Sequence, residues 1–416
     1  MAAAHAAGLR SACDLVTAAT ADPHPYVMLM AIDSAGAACN GTVADSAGRA
    51  RARAMLARVI DAPRGGLPAH AWQAPAHALV TAAHFDAALA RRYVDRFASA
   101  PRWQERMYAA RAAAVLSDRP TLERLAADTD DNVRDAAIAG LSRTVSHSAD
   151  STYLAALTAR GNQVVLTAAA ALGGSADPRT VPAMLDALDR LTALRSENTR
   201  DPRFMLLRRI GELGAPRDSA PLLSYVADFD TTIADSSAAL LSRWTGLAVA
   251  PRSVPLPVTA EPLADLFQRH DTRVRVMLTR ASGGGSFVVR LFAGEAPATT
   301  ARVLRLAREG YYSGAVLHRV EPNFVVQGGG PGATEYIGHQ RFMRDELASR
   351  SHLRGTVGIS SRGRDTGDAQ WFINLADNIW LDHEYTVFGE IISGCAIAER
   401  ILEGDTIARV EVIGAR

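Results

Sequence analysis

At 416 residues the chain is too long for one ordinary core, and at about 150 residues per domain two or three domains are expected. Apolar residues at 48%, charged residues at 21% and a net charge of +1 describe a soluble globular chain. They exclude one drawn as a whole to nucleic acid or to an anionic membrane. There is no Lys, so all 45 residues of the Lys and Arg count are Arg, and Ala is abundant, which points to a GC-rich bacterial genome through codon usage. Cys13, Cys39 and Cys395 are odd in number and form no CxxC. They give neither a disulfide framework nor a zinc site, and small buried residues are expected at all three. No stretch approaches the roughly 18 apolar residues of a membrane span. The N-terminus lacks a basic region followed by an apolar core, so no signal peptide is evident. A cytoplasmic location is expected, or a periplasmic or envelope one if a targeting segment precedes these residues.

Residues 1–246 read as helix after helix. One pattern recurs. Residues 128–141 open with Asp caps and place Val133, Ala136, Ala137, Gly140 and Leu141 on one helical face. Residues 161–172 repeat it, stopped by Gly173 and Gly174, with a second helix following through Val181, Leu185 and Leu188. A third copy begins at Asp201 and a fourth at Asp230, with weaker ones near Asp22 and Trp103. The anchors Val133, Val164, Phe204 and Ile233 recur at a spacing that means stacked repeats. His70, His77 and His84 stand at heptad spacing without a matching carboxylate or Cys pattern, and are expected as solvated helix residues.

From residue 247 to 265 the texture changes. Pro251, Pro255, Pro257 and Pro262 interrupt any helix and favour a stiff, extended linker. Beyond it β signals begin. Alternation from Val274 to Thr279, a glycine turn and a partner strand from Ser286 to Phe292 predict a hairpin. Residues 298–310 predict a short amphipathic helix with Val303, Leu304 and Ala307 inward, closed by Gly310. Strands at Val316 to Val320 and Phe324 to Gln327 flank the turn chemistry of Glu321-Pro-Asn. Alternation along them sets Leu317 with Arg319 opposite His318, and Phe324 with Val326 opposite Val325 and Gln327. Short strands with few helices predict a closed antiparallel β-barrel capped by helices.

Three blocks carry a family resemblance. Leu317-His-Arg-Val-Glu-Pro-Asn-Phe-Val-Val-Gln-Gly-Gly-Gly330 resembles the cyclophilin motif Phe-His-Arg-Val-Ile-Pro-x-Phe-x-x-Gln-Gly-Gly-Asp. Residues 355–373, a Gly-rich loop ending Gln370-Trp-Phe-Ile373, resemble that family's loop and its Ser-Gln-Phe-Phe-Ile. Trp380-Leu-Asp-His-Glu-Tyr-Thr-Val-Phe-Gly389 resembles Leu-Asp-Gly-x-His/Tyr-x-Val-Phe-Gly. All three stand in the family's order. The N-terminal pattern resembles HEAT repeats, helix pairs that stack into an α-solenoid. The expected architecture is a HEAT-like domain over residues 1–246, a linker over 247–265 and a cyclophilin-like domain over 266–416.

The cyclophilin resemblance implies a peptidyl-prolyl cis-trans isomerase acting on Xaa-Pro bonds of peptides and client proteins, without a cofactor or metal. A prolyl amide resists rotation by about 18–20 kcal/mol through its resonance. A fixed donor that favours the twisted amide lowers that barrier without a nucleophile. The resemblance gives that role to Arg319, supported by Gln327. It implies a substrate site of Phe324, Val325, Ser360, Ser361, Gln370, Phe372, Trp380, Leu381 and Tyr385, with Trp380 at the position linked to cyclosporin binding. His318 falls opposite Arg319 and is expected to be structural. Departures stand at Leu317, Gly330, Trp371 and Arg302, where Phe, Asp, Phe and Asn are usual, and none touches Arg319, Phe324 or Gln327. Two other readings remain open: a non-catalytic module binding Pro-containing segments, and a solenoid that recruits a protein partner while the isomerase acts locally.

Overall fold

The computed structural model describes residues 13–40, 46–62, 70–257 and 272–413. Their contacts group the chain into two compact units, Met1–Leu89 with Ala260–Arg416, and Ala90–Thr259. This is not the grouping expected from composition: the first helices belong with the C-terminal sheet.

In the Ala90–Thr259 unit, helices Trp103–Val115, Asp131–Thr144, Asn162–Ala171, Arg200–Leu213 and Thr231–Thr245 each pack on the next. Asp130 caps its helix by accepting from the Asn132 amide, and Asp230 by accepting from Thr232 and Ile233. Val133, Val164 and Ile233 are fully buried. Phe204 is not: it is 41% exposed. The helix of the third copy begins at Arg200 with Thr199 as its N-cap, so Asp201 lies inside it and Phe204 turns outward. Leu206, Leu207 and Ile210 fill the core in its place. In the preceding helix Thr180–Ala193 the buried apolar residues are Met184, Ala187, Leu188 and Leu191, so Leu188 is inward as expected while Val181 and Leu185 are only half-buried. The Pro-rich stretch is pinned rather than free where described, with Arg252 N–H donating to Val226 O and Ser253 Oγ to Asp228 O. Residues 258–265 of the expected linker lie outside the described residues.

In the other unit, Cys13 and Cys39 form a disulfide and Cys395 is exposed, which corrects the expectation of three buried thiols. The bond joins helices Cys13–Ala19 and Pro25–Asn40, a pairing that sequence spacing cannot show because the helix and turn between bring the ends together. Closing a loop of 26 residues' separation removes enough unfolded-chain entropy for about 3 kcal/mol. Reduction should loosen these two helices by that order, read as faster amide exchange with reductant than without. Equal exchange would count against it. His77 pairs with Asp33 at 2.9 Å, and His70 lies ahead of helix Gln73–Phe85, not within it. Neither is simply solvated. Among the described residues no helix is long and apolar enough to cross a membrane.

The sheet comprises β1 Arg273–Leu278, β2 Ser286–Leu291, β3 Val316–Leu317, β4 Arg319–Val320, β5 Val325–Gly328, β6 Thr356–Ile359, β7 Trp371–Asn374, β8 Val387–Ser393 and β9 Asp405–Ile413. All its pairings are antiparallel, in the order β3-β9-β1-β2-β8-β6-β7-β5-β4. The expected closed barrel is not what forms. β3 and β4 end the order, and among the described residues a single bridge, Val316 to Gly330, reaches from one end towards the other. The reason lies at His318, where the chain changes partner: β3 pairs with β9 and β4 with β5. A two-residue strand on either side is too short to continue one ladder. Alternating Val274, Val276, Leu278, Phe287, Val289 and Leu291 meet helix Pro297–Arg308 in one apolar core.

Candidate active site

One row of cross-strand partners builds the site. Arg319 on β4 faces Gln327 on β5, Gln327 faces Phe372 on β7, and Phe372 faces Gly358 on β6. Directly paired residues share a sheet face, so four strands aim these positions the same way. A Cβ at position 358 would lie 2.5 Å from Phe372 Cζ. Glycine there leaves the place over which the ring lies.

Around this row a cavity of about 110 Å³ is lined by Arg319, Phe324, Val325, Gln327, Glu335, Ser360, Ser361, Phe372, Leu381 and Tyr385. The guanidinium of Arg319 approaches Gln327 Oε1 at 3.4 Å, and Gln327 Nε2 donates to Ser360 Oγ at 2.9 Å. Arg319 Cζ lies 5.5 Å from the Phe324 ring centre, and Glu321 is 3.6 Å from Arg319 Nε. Its side chain is 45% exposed.

Two of the expected site residues do not line the cavity. Gln370 is buried, and its Nε2 is taken by Thr334 O at 2.7 Å and Ile337 O at 2.6 Å. It holds the loop that carries Glu335. The departure at Gly330 belongs to the same contact, because a Cβ there would stand 2.8 Å from Gln370 Nε2. Trp380 is 63% exposed and stacks on Phe324 at 6.1 Å, outside the cavity proper. The expected faces also need correction. Leu317 is fully buried in the core while Arg319 is exposed, because alternation does not survive the change of partner at His318. Phe324 precedes β5 in a turn made by Asn323 at φ 63°, so it enters the cavity beside Val325 and Gln327, while Val326 points to the core.

His352 and Glu335 were missed. His352 is fully buried, stacks on Phe372 at 5.6 Å and meets Tyr385 edge-on. Its Nδ1 accepts from Asn374 Nδ2 at 3.2 Å and its Nε2 faces Tyr385 O at 3.3 Å. Asn378 bonds Asn374 Oδ1 and Phe324 O. This buried polar chain ties the Phe324 wall to the Tyr385 wall and disperses no charge, since burial pushes the His352 imidazole down. A lone His in a loop carries no periodic signal. Arg302 also finds a reason: Nη1 donates to Arg341 O and lies 3.6 Å from Asp368 Oδ1, bracing the loop ahead of the site.

His318 does not line the cavity, and burial pushes its pKa to about 4. The unfolded chain therefore takes up a proton near pH 6.5 that the folded domain refuses until about 4. Stability contributed by neutral His318 is complete above that upper value and is lost as pH falls through the window. Denaturant midpoints measured from pH 7 to 4 should fall for wild type and fall less for His318→Phe. Parallel curves would oppose this. Among the described residues no group of three or more His, Cys, Asp or Glu is placed to share a metal ion.

The family described as cyclophilin type peptidyl-prolyl cis-trans isomerase/CLD matches residues 276–413. Peptidyl-prolyl cis-trans isomerase ppi1 of Schizosaccharomyces pombe is 37% identical over 124 residues, 28% of this chain and 79% of that protein. A Helicobacter pylori peptidyl-prolyl cis-trans isomerase is 38% identical over 130 residues, 30% of this chain and 80% of that protein. The chain belongs to the cyclophilin-type peptidyl-prolyl cis-trans isomerases. Peptidyl-prolyl cis-trans isomerase B of Bacillus subtilis covers the cyclophilin region further, at 35% identity over 133 residues, 32% of this chain and 93% of that protein. This cyclophilin is accordingly a peptidyl-prolyl cis-trans isomerase, and it carries a helix-rich region ahead of its C-terminal antiparallel sheet.

Proposed function

We propose that the cavity takes the proline ring of an Xaa-Pro segment between Phe324, Val325, Phe372 and Leu381, with the Arg319 guanidinium donating to the amide as it twists. The row Arg319–Gln327–Phe372 carries this reading, because it sets a fixed donor against an apolar slot. A planar amide spreads its nitrogen lone pair into the carbonyl; at the twisted state the lone pair returns to nitrogen and becomes an acceptor. A donor held there favours that state over both planar ones, which is catalysis by differential binding. Gln327, fixed between Arg319 and Ser360, positions the guanidinium. Ser360 and Ser361 offer hydroxyls to the peptide backbone at the cavity edge, and Trp380 with Phe324 forms its apolar rim. The substrates are Xaa-Pro bonds in peptides and in unfolded or exposed client segments, where isomerisation takes tens of seconds unaided.

The Ala90–Thr259 unit is proposed as a HEAT-like stack that offers a surface to a protein partner. Successive packing of its first-position helices supports this, as does a groove of about 520 Å³ between helices Arg200–Leu213 and Thr231–Thr245 that Phe204 lines. The Cys13–Cys39 disulfide supports an oxidising compartment over the cytoplasm. A protease-coupled assay on a short Xaa-Pro peptide tests the central reading: turnover above background is expected, and background rates alone would leave only a binding module.

A further inference from the structure

The stretch that enters β9 is gripped at every second residue by the N-terminal part of the same unit: Tyr26 and Gln73 on helices, and His70 in the turn ahead of Gln73–Phe85. Tyr26 Oη donates to Ile401 O at 2.6 Å, Gln73 Nε2 to Glu403 O at 3.0 Å, and His70 Nε2 to Asp405 Oδ1 at 2.7 Å. Tyr26, Gln73 and Asp405 are buried, at 3%, 1% and 0% exposure. Asp405 is a charge taken out of water. It is tolerated because Oδ2 accepts from the Leu402 amide at 2.8 Å and Oδ1 accepts from His70. A carboxylate only accepts, so the His70 Nε2 contact is an N–H donating.

The same residues reach the active site from behind. Asp405 is the cross-strand partner of Leu317, and Gly404 N–H donates to Leu317 O at 3.0 Å. Leu317 stands two residues before Arg319, across the break at His318. β4 pairs with β5 over two residues only, so it has little register of its own. The seat of Arg319 therefore depends on how firmly β3 is held. Its ladder partner is β9, and on its other side, among the described residues, it has only the single bridge from Val316 to Gly330 and the close approach to Gly328.

We propose that His70 is a positioning residue for Arg319: by holding Asp405 it fixes the start of β9, hence β3, hence the strand that presents the guanidinium. The proposal rests on the reading of Arg319 as the acting donor. It makes the helices before residue 89 part of the isomerase, and a catalytic domain cut at the Pro-rich stretch would lose this support. His70→Ala leaves Asp405 Oδ1 buried without its partner, at a cost the turn relieves by shifting.

The test uses the full chain with three variants: His70→Ala, His70→Gln, whose amide can still donate to Asp405, and Tyr26→Phe, which removes only the grip on Ile401. His70→Ala should lower kcat by about tenfold with KM within about twofold, since a small displacement of a donor costs rate more than binding. His70→Gln should restore most of the loss, and Tyr26→Phe should show a smaller loss of the same kind. Amide exchange at residues 315–320 should quicken in His70→Ala while the Ser286–Leu291 strand keeps its protection. Unchanged exchange at 315–320, or a loss of kcat that His70→Gln does not restore, would overturn the proposal. If Arg319→Ala keeps full activity, the reading of Arg319 fails, and the exchange data still decide whether His70 holds β3.

Discussion

Replacing Arg319 by Ala should lower kcat/KM on a short Xaa-Pro peptide by about 10²–10³-fold, the range seen when one fixed donor to a transition state is removed. The loss should fall mostly on kcat. The proline slot is built by Phe324, Val325, Phe372 and Leu381, which the substitution leaves in place, so ground-state binding changes little. The fold should survive, because the Arg319 side chain is about half exposed and its contacts to Gln327 and Glu321 are long, at 3.4 and 3.6 Å. Arg319→Lys should recover only part of the rate: an ammonium keeps the charge and loses the planar fork that reaches nitrogen and Gln327 together. Thermal unfolding checks that the variants remain folded. A variant with wild-type kcat/KM would remove the guanidinium from the chemistry.

The largest stability effect should come from the other unit. Arg203 is fully buried and donates to Asp228 at 2.7 Å, with both side chains at or below 1% exposure. Its guanidinium also lies 4.3 Å above the Phe229 ring. Asp228 in turn accepts from the Asp230 amide, just where Asp230 caps the next helix. Arg203→Met should destabilise this unit by about 3–5 kcal/mol, because it strands a buried carboxylate. The double variant Arg203→Met with Asp228→Leu should recover much of that, since no charge is then left unpaired, although the Asp230 amide loses its acceptor. Amide exchange across helices Arg200–Leu213 and Thr231–Thr245 reads the effect separately from the sheet. Isomerase activity on a short peptide should be unaffected. A loss under about 1 kcal/mol would mean that the pair is not desolvated as its burial implies.

What the sequence showed and what it hid divide along local and long-range physics. The cavity wall was legible through the family resemblance, because Arg319, Phe324, Val325 and Gln327 sit within one short motif that matches it. Ser360, Phe372, Leu381 and Tyr385 followed from two further blocks of the same kind. The helical row was legible from Asp caps and apolar period, since capping and amphipathicity are local. Phe204 misled because a 3₁₀ turn, Glu197–Thr199, runs straight into the helix and moves its start. The period was right and the phase was not. Leu317 and Arg319 misled for another reason: alternation assumes one strand, and His318 is where two meet. Gln370 carries the family's residue type but spends its amide on Thr334 and Ile337. Most hidden were contacts between residues far apart in the chain. Neither Cys13 with Cys39 nor His70 with Asp405 announces its partner by spacing, because only the folded unit brings them together.

Exchange spectroscopy on a peptide with resolved cis and trans proline signals tests the central claim most directly. With a small amount of the full chain, exchange cross-peaks between the two signals should appear on a timescale far shorter than the tens of seconds of the free peptide, and the Arg319→Ala chain at equal concentration should nearly abolish them. Cross-peaks absent with the wild type, or equally strong with the variant, would contradict the account.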